Sequence, residues 1–263
     1  MAGGSEGNDL WVRRYNPAPD PAVRLACMPH AGGSASYFVS TSRLLAPQCE
    51  VLAVQYPGRQ DRRRERPFEN VTDLADAVAQ QLLVWTDRPM ALFGHSLGAV
   101  VAFEVAYRLA AQGCTPLALI VSGRRAPSRY RAENVHTRDD EGLLREVRSL
   151  GGTDPLALAE PEMREMILAA LRADYTAVET YRCPDRNPLQ IPIYGHFGLD
   201  DPQVTIEEAQ SWAAHTTSHF ELHTYPGGHF YLNTQATALT ANIRGVLASE
   251  TVPTNHPTIS RTR

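Results

Sequence analysis

Six apolar runs of strand length recur along the chain, at residues 23–28, 51–56, 89–93, 117–122, 191–197 and 219–225. Turn residues close several of them: Pro29 after the first, Pro57 and Gly58 after the second, Pro226 and two glycines after the last. A buried strand reads this way when it stops at a turn. Between the runs, apolar residues fall at helical spacing. Tyr37, Phe38, Leu44 and Leu45 mark one helix. Leu74, Val78, Leu82 and Leu83 mark a second within 71–85, and residues 97–111 a third. Residues 206–214 and the segment after Phe230 mark two more. Strands alternating with helices of about a dozen residues predict an α/β fold, with a mostly parallel central sheet and helices on both faces.

The rhythm breaks over residues 123–187. Loops bearing Arg124, Arg125, Arg129 and Arg131 lead into helical patterns around 143–150 and 162–181, with no strand among them. Such an insertion between two strands of a regular alternation predicts a helical lid over the C-terminal edge of the sheet. Residues 1–8 are Gly-rich and residues 249–263 polar, so both read as flexible tails around one domain over 9–248.

Composition narrows the class. A chain of 263 residues, 43% hydrophobic and 21% charged, is ordinary for a globular α/β domain. The formal net charge of −4 gives no nucleic-acid signature. No apolar stretch has membrane-spanning length, and the first residues lack the basic start and apolar core of a signal peptide. Cys27, Cys49, Cys114 and Cys183 stand singly without metal-ligand or redox spacing, which predicts free thiols and a cytoplasmic location. Nothing in the sequence calls for more than a monomer.

The chemistry starts at Gly94-His95-Ser96-Leu97-Gly98, where an apolar run ends and a helical pattern begins at once. Strand, sharp turn and helix in that order turn a common string into a nucleophile elbow with Ser96 at its tip. A serine hydroxyl needs a base, and the base needs a group that fixes its tautomer. Of the nine histidines, His229 sits after a strand in a Gly-Gly loop at the C-terminal edge of the sheet. Asp200 and Asp201 both follow the end of the 191–197 strand. The order Ser, Asp, His is that of α/β-hydrolases. After the first strand, the small-residue loop at 30–35 is placed to supply a second oxyanion amide from Ala31, beside that of Leu97; the alternative is a tight turn that needs glycine for backbone reasons.

At these residues the chain resembles the type II thioesterases that accompany polyketide and nonribosomal peptide synthetases. The resemblance rests on Pro29-His30-Ala31-Gly32-Gly33, Gly94-His95-Ser96-Leu97-Gly98, Arg172-Ala173-Asp174-Tyr175 and Gly227-Gly228-His229-Phe230, and runs from about residue 27 to 246. It implies the α/β-hydrolase fold and hydrolysis of acyl thioesters on the phosphopantetheine arm of acyl or peptidyl carrier proteins, clearing stalled units. The family's Gly-x-x-Asp pattern falls on Gly198 to Asp201 and gives Asp201 the orienting role, with Asp200 the neighbour that could take it. No metal or redox cofactor is implied. Because carrier domains are commonly acidic, Arg59 and the arginines to 66, with Arg124, Arg125 and those to 131, become docking candidates; the alternative is solvated loops. His30 and His95 are candidates for the arm's entrance, His95 with packing beside the elbow as its alternative. Rival functions are a product-releasing thioesterase, a general carboxylesterase and, more distantly, a non-catalytic carrier module, since Gly-His-Ser-Leu also occurs around carrier serines. A releasing enzyme is usually fused to its synthetase, and this length leaves no room for a carrier domain.

Overall fold

A computed structural model describes residues 8–151 and 160–251; the outer parts of both predicted tails and the middle of the insertion lie outside the described residues. Seven strands form one sheet: β1 (Val12–Arg13), β2 (Val23–Met28), β3 (Cys49–Val54), β4 (Met90–His95), β5 (Leu119–Ser122), β6 (Ile193–Gly198) and β7 (Phe220–Tyr225). Their order is β1-β3-β2-β4-β5-β6-β7, parallel throughout except for β1, which pairs antiparallel with β3 at the edge. Beta1 was not among the predicted strands, because two residues carry no periodicity. The described termini also differ slightly from expectation. Asn8 opens a short helix, α1 (Asn8–Trp11), and the last helix continues past 249 to Thr251.

Every residue of β2 to β6 is buried, as parallel strands covered on both faces must be. Alternate side chains divide between two cores. Ala26, Met28, Leu52, Val54 and Leu92 face α3 (Val71–Leu82) and α4 (Leu97–Ala111). Leu25, Cys27, Val51, Ala53 and Phe93 face α2 (Val39–Leu45) and α8 (Ala236–Thr251), the last helix. Asn70 caps α3 by accepting from the Thr72 and Asp73 amides. Alpha7 (Ile206–Gln210) opens with a Thr205–Glu208 capping box.

Between β5 and β6 the chain leaves the sheet and forms α5 (Asp140–Leu150) and α6 (Pro161–Thr180). The insertion is less helical than its length suggested, since long loops flank these two helices. Asp139 caps α5, and Gly151 ends it in the left-handed region at φ 80°. Val135, Leu143, Leu144, Val147, Leu168 and Leu171 give the insertion a small core of its own. All four cysteines are free, two buried and two half-buried. Among the described residues, no helix is long and apolar enough to cross a membrane.

Candidate active site

Ser96 stands between β4 and α4 with φ 56° and ψ −118°, backbone angles that a serine adopts only when its surroundings force them. The force comes from both sides. The Ser96 N–H donates to the Ser122 carbonyl at 2.8 Å, tying the tip of the turn to β5. A Cβ on Gly94 would collide with the Gly98 carbonyl, and one on Gly98 with the Met28 carbonyl. The two glycines let the strand, the helix and the end of β2 approach within backbone contact. As the first residue of α4, Leu97 has no intrahelical acceptor for its N–H, which lies at the helix N-terminus directly after Ser96.

His229 arrives on the turn after β7. Its Nδ1 is 2.9 Å from Asp201 Oδ2, and both residues are buried. The other carboxylate oxygen of Asp201 accepts from the Gln203 N–H at 2.8 Å, which fixes the acid in turn. Asp200 is exposed and points away. Ser96 and His229 line one small cavity together with His30, Ala31, Tyr175 and Phe230.

Around His229 the other histidines are neutral. His95 lies 5.0 Å from it, ring to ring. Burial, followed by the nearness of His229 and His30, holds the His95 pKa well below its ordinary value. His95 Nδ1 meets Ser122 Oγ at 2.9 Å, and Ser122 in turn meets the Tyr231 hydroxyl at 2.7 Å. Burial lowers His30 to about 3, helped by His229 and Arg59. Of these three rings, the one with a carboxylate partner is His229.

The loop at 30–33 is a turn. The Gly33 N–H donates to the His30 carbonyl at 2.9 Å, and Gly32 sits at φ 73°. The Gly32 N–H donates to Asp174 Oδ2 at 2.7 Å. The Ala31 N–H has no acceptor among the described residues. A larger cavity of about 820 Å³ opens on the other side of this loop. Its polar wall includes Ser36, Gln60 and Arg63; its apolar wall comes from Met166, Ile167 and Leu171 of α6. His30 and Ala31 border both cavities.

Several predicted binding residues lie elsewhere than a docking surface requires. Arg59 is buried and ion-paired with Asp174. Arg125 is buried on Glu133, and Arg124 is largely covered, its pKa pushed down to about 10 by burial and then by Arg125. A guanidinium committed inside the protein has no free face for a partner, so these three are not surface docking groups; Arg59 instead lines the larger cavity. His95 is fully buried and packs beneath the elbow, so it does not border an entrance. Arg62 is also buried, on Glu65, whereas Arg63, Arg64 and Arg66 are exposed. Asp174 and Tyr175 reach the site from α6, although sequence reasoning gave them no role; their only signal was their place in the Arg-Ala-Asp-Tyr segment.

The thioesterase domain family matches residues 23–247. A probable cadicidin biosynthesis thioesterase of Streptomyces griseus is 48% identical over 90% of this chain, which spans 66% of that protein's length. Thioesterase PikA5 of Streptomyces venezuelae is 50% identical over 86% of this chain and 81% of its own. Among solved structures, the type II thioesterase BorB from the borrelidin biosynthetic cluster superposes with a TM-score of 0.85 at 47% identity, covering 91% of this chain and 98% of that one. With a family match across most of its length and relatives at these identities, the chain belongs to the thioesterase domain family and, within it, to the type II thioesterases.

Proposed function

We propose that this protein removes acyl groups from the phosphopantetheine arm of acyl or peptidyl carrier proteins, acting as an editing hydrolase. The observation that carries the chemistry is the Asp201-bound His229 sharing a cavity with the elbow serine. In this reading His229 takes the proton of Ser96 as its oxygen attacks the thioester carbonyl. Asp201 holds the imidazolium, and the Ala31 and Leu97 amides receive the oxyanion. The pantetheine thiol leaves with the proton from His229. Water, activated by the same histidine, then attacks the acyl-serine and restores the enzyme. One oxyanion donor typically contributes about 3 kcal/mol to such a step. The end-to-end likeness to a type II thioesterase chain supports the editing role. Arg63, which lines the larger cavity, and its exposed sequence neighbours Arg64 and Arg66 are the arginines of that loop open to an acidic carrier.

The test is hydrolysis of one acyl group presented on a carrier protein, on free pantetheine and as a simple oxygen ester. Turnover is expected to be highest from the carrier and to fall roughly 10⁵- to 10⁶-fold in Ser96→Ala. Equal or faster turnover of the free ester would replace this reading with a general carboxylesterase.

A further inference from the structure

We propose that Asp174 is the positioning residue of the oxyanion loop, so that the loop takes its reactive shape only when α6 is seated against it. This rests on the oxyanion role proposed above for Ala31. The turn at residues 30–33 has a positive φ at Gly32, whereas Ala31 is not among the positive-φ residues. With the Gly33 N–H on the His30 carbonyl, this is a type II turn. The first peptide of the turn carries both the His30 carbonyl and the Ala31 N–H. Because a trans peptide directs these groups oppositely, the bond from Gly33 turns the Ala31 N–H outward. The central peptide carries the Ala31 carbonyl and the Gly32 N–H, and flipping it converts type II into type I. Asp174 Oδ2 accepts that Gly32 N–H at 2.7 Å. A flip would swing the Ala31 carbonyl towards the carboxylate instead. The carboxylate therefore holds the central peptide as type II and ties the turn to α6, and in this proposal it is the place of the whole turn beside Ser96, and with it the place of the Ala31 N–H, that depends on that tie.

Alpha6 reaches this loop at two levels. One turn before Asp174, Leu171 packs so closely on Gly32 that a Cβ there would lie 2.5 Å from Leu171 Cδ2. Asp174 is 2% exposed, so the Gly32 bond ends on a buried carboxylate. The same carboxylate oxygen holds the Arg59 guanidinium. Arg59 in turn donates to the Pro57 carbonyl at 2.7 Å, and its own carbonyl accepts from Gln55 Nε2 at 3.2 Å. Gln55 Oε1 accepts the Ala35 N–H at 2.8 Å, closing the far end of the loop. One carboxylate on the insertion thus joins the loop after β2 to the turn after β3. Moving α6 away would remove the acceptor from Gly32 and leave Arg59 unpaired.

Two double variants separate positioning from the ion pair. Arg59→Met with Asp174→Asn removes both charges but keeps an acceptor for Gly32. Arg59→Met with Asp174→Leu removes the acceptor as well. Each is assayed on a free pantetheine thioester and against a trifluoromethyl ketone analogue, whose serine adduct carries an oxyanion. The Asn variant is expected to exceed the Leu variant by about 30-fold in both kcat and ketone affinity, with KM alike within about threefold. Should the Leu variant fail to fold, Asp174→Ser in the same background replaces it, its hydroxyl being too short to reach Gly32. Equal kcat in the two variants, or a difference confined to KM, overturns the proposal while the wild type still binds the ketone. A wild type that ignores the ketone, with Ser96→Ala still active, overturns the oxyanion reading and this inference together.

Discussion

Asp200 and Asp201 are adjacent in sequence and alike in charge, yet only one faces the imidazole. Asp201 is buried with Oδ2 on His229 Nδ1, while the neighbouring side chain lies in solvent. Both residues were legible as acids at a strand end; which of them turns inward depends on the bond from the Asp201 N–H to the Gly198 carbonyl and on where β7 delivers His229. Asp201→Asn presents an amide where a carboxylate accepted and so favours the wrong imidazole tautomer, with a cost of roughly 10⁴ in kcat. Asp200→Asn is expected to change kcat less than about twofold, since it touches neither partner. Steady-state kinetics on the pantetheine thioester compares them directly, and equal losses would remove the distinction. The arginines carry the same lesson. A run of positive charge reads as surface, but Arg59, Arg62 and Arg125 are buried and each is paired with a carboxylate, that of Arg59 being Asp174 inside the fold.

Among the elements, the insertion depends on α4 for its anchorage. Glu104 is 2% exposed on that helix and receives Arg108, Arg186 and the Tyr181 hydroxyl. Tyr181 and Arg186 lie just beyond α6, so this one carboxylate pins the base of the insertion to the core. Burial alone would raise the Glu104 pKa, but hydrogen bonds from Arg186, Tyr181 and Arg108 outweigh it and hold the carboxyl below its usual range. Glu104→Ala leaves two guanidinium groups without their common partner and is expected to cost about 3 kcal/mol of unfolding free energy, read as a lower urea midpoint. An unchanged midpoint would mean that the insertion is held elsewhere. Both α5 and α6 were visible in the sequence because amphipathic spacing is local. Glu104, in a helix buried almost all round, gave no sign of what it would meet.

For the molecule as a whole, its buried histidines set the response to acid. His30 and His196 are lowered to about 3, chiefly by burial, and His95 is held well below its ordinary value by the same cause. All three are neutral in the folded chain at pH 7, and in the unfolded chain each titrates near 6.5. Below 6.5 the unfolded state therefore binds protons that the folded state refuses. The stabilisation is complete above that pH and is lost as pH falls towards 3, by up to about 1.4 kcal/mol per pH unit for each histidine. Urea midpoints between pH 7.5 and 5.5 should fall accordingly. In His196→Gln, far from Ser96 in sequence and outside the site, the slope should shrink by about a third of the part that these three histidines contribute; an unchanged slope would show that His196 is not a source of the effect.

By itself the sequence determined the alternation of strand and helix, the elbow at Ser96, the aspartate and histidine that follow it at strand ends, and the break where the insertion begins. These are local properties: periodicity, turn chemistry and the steric need for Gly94 and Gly98 are all written within a few residues. The tertiary structure decided what distant segments do to one another. It turned Asp201 inward, kept His30 and His95 neutral by burying them, drew Arg59 from a charged loop onto Asp174, and brought α6 against the loop at residues 30–33. Direction, burial and partnership arise only when segments more than a hundred residues apart pack together, as Gly32 and Asp174 do.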